Sequence, residues 1–87
     1  MEALARGLAL ELAPQRVNAV SPGPIDTPLW GKAPGADRDA VVEAIKRTLP
    51  LHRFGTPAEV GAAVVVLMSN GWITGETLHA DGGVRLV

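Results

Sequence analysis

Cysteine and tyrosine are both missing from this chain of 87 residues, and phenylalanine occurs once. The lack of cysteine excludes disulfides and thiolate metal sites. The lack of tyrosine removes the phenol, one of the proton-transfer groups available to an enzyme. Net charge is nearly absent too, at −1, so there is no electrostatic footprint for nucleic acid or an anionic membrane surface. No apolar run approaches the ~20 residues of a spanning helix. The opening "MEALARGLALELAP" carries charges and no small-residue cleavage site, so it does not read as a signal peptide. A cytoplasmic location is the resulting expectation. What remains is an ordinary composition, 47% apolar and 20% charged, long enough for one small domain.

Turn and period signals divide the chain. Met1 to Ala13 is built of Ala, Leu and Glu, with Leu4, Leu8 and Leu12 recurring every four residues beside Ala5 and Ala9. That spacing predicts a helix ending at Pro14. It has no Ser, Thr, Asp or Asn to cap its start, as if the helix were cut rather than begun. "RVNAV", Arg16 to Val20, predicts a short buried strand of a parallel sheet. "SPGPIDTP", Ser21 to Pro28, follows it as a stiff loop with three prolines and one glycine. Asp37 can cap a second helix, with Val41, Val42, Ile45 and Leu49 inward and Pro50 at its end.

"TPAEV" then predicts a capping box, with Thr56 at the N-cap, Pro57 at the first helical position and Glu59 at the third. Val60, Val64, Leu67 and Met68 continue that helix on one face. Asn70-Gly71 is expected to end it by supplying positive φ. "ETLHA", Glu76 to Ala80, predicts a second strand, and "DGG", Asp81 to Gly83, a tight turn. Two strands joined by helices favour a parallel crossover. Two parallel strands make too small a sheet to stand alone.

Three segments in order, "LALELAPQRVNAVSPGPIDTPL", "RFGTPAEVGAAVVVLMSN" and "ITGETLHADGG", resemble the C-terminal third of a short-chain dehydrogenase/reductase. The resemblance covers nearly all of residues 1–87. It implies an α/β fold: the C-terminal part of a Rossmann-like doubly wound parallel sheet, here two strands with three main helices. It implies binding of NAD or NADP and hydride transfer to or from a small alcohol or carbonyl substrate. It makes residues 29–50 the variable substrate lid. It assigns cofactor contact to Pro22, Gly23, Ile25 and Thr27, in a loop lining the nicotinamide end of the site. From the residues alone, the same loop also reads as a rigid turn with no ligand.

The family's other parts are not in this sequence. There is no glycine-rich dinucleotide pattern, and no tyrosine to serve as the family's acid/base. Lys32 and Lys46 lie downstream of the first helix and do not match the family's helix lysine. No catalytic residue and no metal ligand is therefore expected here. His52 and His79 read as lone histidines without carboxylate partners, Asn18 as structural, Asp26 as a turn former and Arg53 as a brace for its loop. Glu2, Glu11, Glu43 and Lys46 are expected on solvated helix faces.

The expected function is that of a fragment of an NAD(P)-dependent oxidoreductase. It would contribute the nicotinamide-side loop and the lid, be inactive alone and bind no cofactor tightly by itself. The alternative is a non-catalytic interaction module that self-associates or binds a full-length family member through apolar stripes left uncovered. A homo-oligomer is expected.

Overall fold

A computed structural model describes residues 2–25 and 37–87, the side chains of Asp37 and Arg38 excepted. Thr27 and Asp26 fall outside these residues, as does the 29–36 part of the expected lid. The elements run α1 (Glu2–Glu11), β1 (Ala19–Pro22), α2 (Asp37–Thr48), α3 (Pro57–Ser69) and β2 (Thr77–Ala80), then a 3-10 turn at Val84–Leu86. The strands pair in parallel, Ala19 with Thr77 through Pro22 with Ala80. The described residues thus form the expected α/β unit, three helices and a two-stranded parallel sheet.

β1 begins later than "RVNAV" suggested and takes in Ser21 and Pro22. The reason lies in what residues 16–18 bond to. The Val17 amide donates to the Thr74 hydroxyl at 3.1 Å. Asn18 donates through Nδ2 to the Ile73 carbonyl and accepts from the Glu76 amide, each at 3.0 Å. Side chains thus do the work of a ladder there, and Asn18 is structural as expected. Pro22 can end the strand because Pro is tolerated where its absent N–H would face the sheet's outer edge.

α3 is the best-specified helix. The Thr56 hydroxyl accepts from the Glu59 amide at 3.2 Å, and the Glu59 carboxylate accepts from the Thr56 amide at 3.0 Å, completing the capping box. Its end differs from expectation. Asn70 is extended, with φ −101°, and Gly71 has no positive φ. Arg16 closes the helix from a distance instead, donating to the Leu67 carbonyl at 2.7 Å and the Met68 carbonyl at 3.0 Å. A guanidinium over the last carbonyls satisfies orphan acceptors and opposes the helix dipole, so no left-handed residue is required.

Among the described residues, the buried apolar ones are Ala5, Ala9, Leu49, Phe54 and Leu67. α3 rests on both strands. The expected stripes are only half covered. Ala5 and Ala9 turn inward, but Leu4 and Leu12 stay exposed. Just past the end of α2, Leu49 is buried at 1% exposure, while Val41 on the helix is 51% exposed. On α3, Leu67 is buried and Met68 is 70% exposed. Two strands give each helix too little sheet to cover its whole apolar face.

Candidate functional site

The carboxyl ends of β1 and β2 meet at one point, the usual ligand end of a parallel sheet. There the Gly23 amide donates to the Ala80 carbonyl at 3.1 Å. A Cβ on Gly23 would lie 2.7 Å from both Cα and the carbonyl oxygen of Asp81. The glycine is thus required for the strand ends to close on each other. Beyond it, Ile25 forms an isolated parallel bridge with Gly55, and the Gly55 amide donates to the Pro24 carbonyl at 3.0 Å. The stiff loop is thereby tied to the connector before α3.

A cleft of about 480 Å³ opens beside this loop. Pro24 and Ile25 line one side, Leu51, Arg53 and Glu59 another, and the Asp81–Gly83 turn with Arg85 a third. Of the four residues expected to touch a cofactor, Ile25 lines this cleft. Pro22 stands exposed at the strand end, Gly23 lies between the strands, and Thr27 is outside the described residues.

Two ion pairs set the electrostatics. Arg53 donates to both Glu59 oxygens, at 2.8 and 2.7 Å, and to the Phe54 carbonyl at 3.1 Å. Arg53 is thus a brace, as expected. Its hydrogen bonds, with the Thr56 amide second, push the Glu59 carboxyl down to about 2. Asp81 is buried, accepts from the Gly83 amide at 2.9 Å and pairs with Arg85 at 3.1 Å. The Gly83 amide first, then Arg85, hold the Asp81 carboxyl below its usual range. Both carboxylates are ionised at neutral pH and neutralised by their partners. Neither is poised to donate a proton there.

The "DGG" turn forms as expected, with Gly82 at φ +62° and Gly83 at φ +89°. A Cβ on Gly83 would lie 2.7 Å from Pro50 Cγ, so the turn also packs against the exit of α2. His79 departs from expectation. His79 Nε2 lies 2.8 Å from Glu2 Oε1, so it has a carboxylate partner and Glu2 is not simply solvated. The contact joins the start of α1 to β2, residues 77 positions apart, which no local pattern announces. His52 takes φ +58° in the turn after α2, where its amide donates to the Leu49 carbonyl at 2.9 Å. It is a turn residue. Among the described residues, no three potential metal ligands gather.

Against known proteins, a family model described as enoyl-(acyl carrier protein) reductase matches residues 1–85. The chain belongs to the short-chain dehydrogenase/reductase family. It is 43% identical to carbonyl reductase family member 4 of Danio rerio, over 100% of this chain and 35% of that protein. It is 41% identical to the short-chain reductase protein NovJ of Streptomyces niveus, over 90% of this chain and 32% of that one. A solved small-chain dehydrogenase in complex with NADPH superposes with a TM-score of 0.86 at 36% identity, covering 99% of this chain and 39% of that one. The chain therefore spans about a third of the length of the curated relatives it matches. The family's proteins are oxidoreductases of Rossmann type, which fits the parallel strands and flanking helices seen here. Among the described residues, no helix is long and apolar enough to cross a membrane.

Proposed function

We propose that this chain is the C-terminal segment, 1–87, of an NAD(P)-dependent oxidoreductase domain acting on a small alcohol or carbonyl, and that it contributes the nicotinamide side of the site. The observation that carries this is the loop Pro22–Ile25, which leaves the carboxyl end of a parallel strand in a chain of this family. The loop is stiff before any ligand arrives. Two prolines fix φ, and the Pro24 carbonyl and Ile25 are pinned to Gly55. Little ordering cost then falls on binding.

The residues present fit one wall of a dinucleotide site and not the whole of it. Pro22 is exposed to a ligand at the strand end, and Gly23 offers backbone. Thr27 carries a hydroxyl suited to an amide or phosphate oxygen. The sequence holds no glycine-rich phosphate loop and no tyrosine. A nicotinamide cofactor, when bound, supplies or accepts the hydride. The residues of this chain bind and orient it, and move no proton. Residues 29–50 form the lid over the substrate, with α2 as its described part. Alone, the chain is inactive.

The test is a chimera. The matched stretch of the Danio rerio relative is replaced by residues 1–87, and NAD(P)H oxidation is followed with small carbonyl substrates. The chimera turns over, and Thr27→Ala in it raises the KM for cofactor. A folded chimera without turnover, or one indifferent to Thr27→Ala and Ile25→Ala alike, contradicts the assignment.

A further inference from the structure

Asn70-Gly71 lies in the connection from α3 to β2, at the opposite end of the sheet from the Pro22–Ile25 loop. Both residues are exposed, as is Trp72. Asn70 is extended, with φ −101° and ψ 103°, so the pair stands outside the helix ladder. If α3 ran on, the Gly71 amide would donate to the Leu67 carbonyl. That carbonyl accepts from Arg16 at 2.7 Å instead. Among the described residues, nothing accepts from the Gly71 amide. A Cβ on Gly71 would meet nothing within 4 Å. The Gly71 nitrogen is therefore untied, unshielded and open to water.

The Asn70 side-chain amide is the electrophile beside it. The Trp72 amide donates to Asn70 Oδ1 at 3.0 Å. Negative charge gathers on that oxygen when a nucleophile adds to Cγ, and an N–H already aimed at it stabilises the adduct. The Asn70 carbonyl is held only by a 3.4 Å bond from the Ile73 amide, so the Asn70–Gly71 peptide can turn. We propose that Asn70 is a site of spontaneous deamidation, and that the product uncaps α3. The Gly71 nitrogen gives its proton to water and bonds to Cγ. The Cγ–Nδ2 bond breaks, and Nδ2 takes a proton from water and leaves as ammonia. Water then opens the cyclic imide at either carbonyl, leaving aspartate or isoaspartate. Water enters, ammonia leaves, and no oxidant or reductant is needed. Arg16 donates to carbonyls on both sides of this position, Leu67 and Met68 before it and Ile73 at 3.4 Å after it. A carboxylate placed there draws the guanidinium off the helix carbonyls and sits at the negative end of the α3 dipole. Asn18, the chain's other asparagine, is the contrast. Its side chain donates and accepts at 3.0 Å, and the following Ala19 amide is tied to the Glu76 carbonyl at 2.9 Å.

The test ages the folded 87-residue chain in warm, mildly alkaline buffer beside an unfolded peptide of residues 66–75. Peptide mapping by mass spectrometry follows the change from amide to carboxyl, and methyl transfer by an isoaspartate methyltransferase reports the isoaspartate. Asn70 is expected to react in the folded chain within roughly threefold of its rate in the peptide, since the fold leaves the reacting groups open. Asn18 should react at least roughly tenfold more slowly, because its neighbouring amide is held in place. Gly71→Ala should slow the reaction at Asn70 by at least roughly tenfold, through its Cβ and its restricted backbone. Asn70→Asp stands in for the product. It should speed hydrogen exchange from Leu67 to Asn70 by at least roughly threefold, with the first turn of α3 unchanged. The proposal is overturned if Asn70 reacts ten or more times more slowly in the folded chain than in the peptide, roughly the protection a closed structure gives. It is also overturned if Gly71→Ala reacts at the parent rate, or if Asn70→Asp leaves exchange in the last turn unaltered.

Discussion

Gly23 and Gly61 are both glycine, and substitution by alanine should act on them in opposite directions. At Gly23 a methyl group meets the Asp81 backbone at 2.7 Å, and backbone cannot step aside as a flexible side chain can. Gly23→Ala should cost roughly 1–3 kcal/mol, the usual range for overpacking. Gly61 sits inside α3 with nothing within 4 Å of its would-be Cβ. Gly61→Ala should therefore stabilise by roughly 0.5–1 kcal/mol through helix propensity. Urea midpoints of the two variants, read against the parent chain, check both. Glu59 gives the pH dependence at this scale. Its pKa falls from 4.5 to about 2 on folding, because Arg53 and the Thr56 amide favour the ionised form. The stabilisation is complete above pH ~4.5, where the unfolded chain is also ionised, and is lost as pH falls through about 2. Glu59→Gln should flatten the denaturation midpoint against pH in that acid window. A slope as steep as the parent's would show that other carboxylates carry it.

Elements are where the sequence could be read and where it failed. The capping box of α3 was legible because all its partners lie within four residues, and so was the Asp81–Gly83 turn. Thr56→Ala should therefore cost about 1 kcal/mol, seen as a lower thermal midpoint by circular dichroism. The other end of α3 was not legible, since its cap comes from Arg16, 51 residues before Leu67. Arg16→Ala should cost about 1 kcal/mol. It should speed hydrogen exchange at the last turn of α3, from Leu67 to Asn70, more than at the first turn. Equal loosening at both ends would mean that Arg16 does not act as the cap. The strand boundary slipped for the same reason. Asn18 and Thr74 stand in for ladder bonds through side chains, and a hydropathy pattern does not report them. Of the candidate site, the loop's stiffness was legible from its prolines. Its tie to Gly55 and the packing reason for Gly23 were not, because both depend on segments distant in sequence.

At the scale of the whole molecule, the stripes tell the most. The spacing of Leu4, Leu8 and Leu12 correctly announced a helix, yet Leu4 and Leu12 stay open while Ala5 and Ala9 are covered. Periodicity states which face wants burial, and the amount of sheet available decides how much it gets. The same logic governs chemistry. Among the described residues there is a stiff loop at the ligand end of two parallel strands, beside a cleft whose carboxylates Glu59 and Asp81 are each paired with an arginine. We propose that this chain supplies a wall of a nicotinamide site and not its chemistry. The most direct measurement is the change in nicotinamide absorbance when the purified 87-residue protein is mixed with NADH or NADPH and a panel of small carbonyls. No turnover above the protein-free rate is predicted. Steady, cofactor-dependent turnover by the chain alone would contradict it.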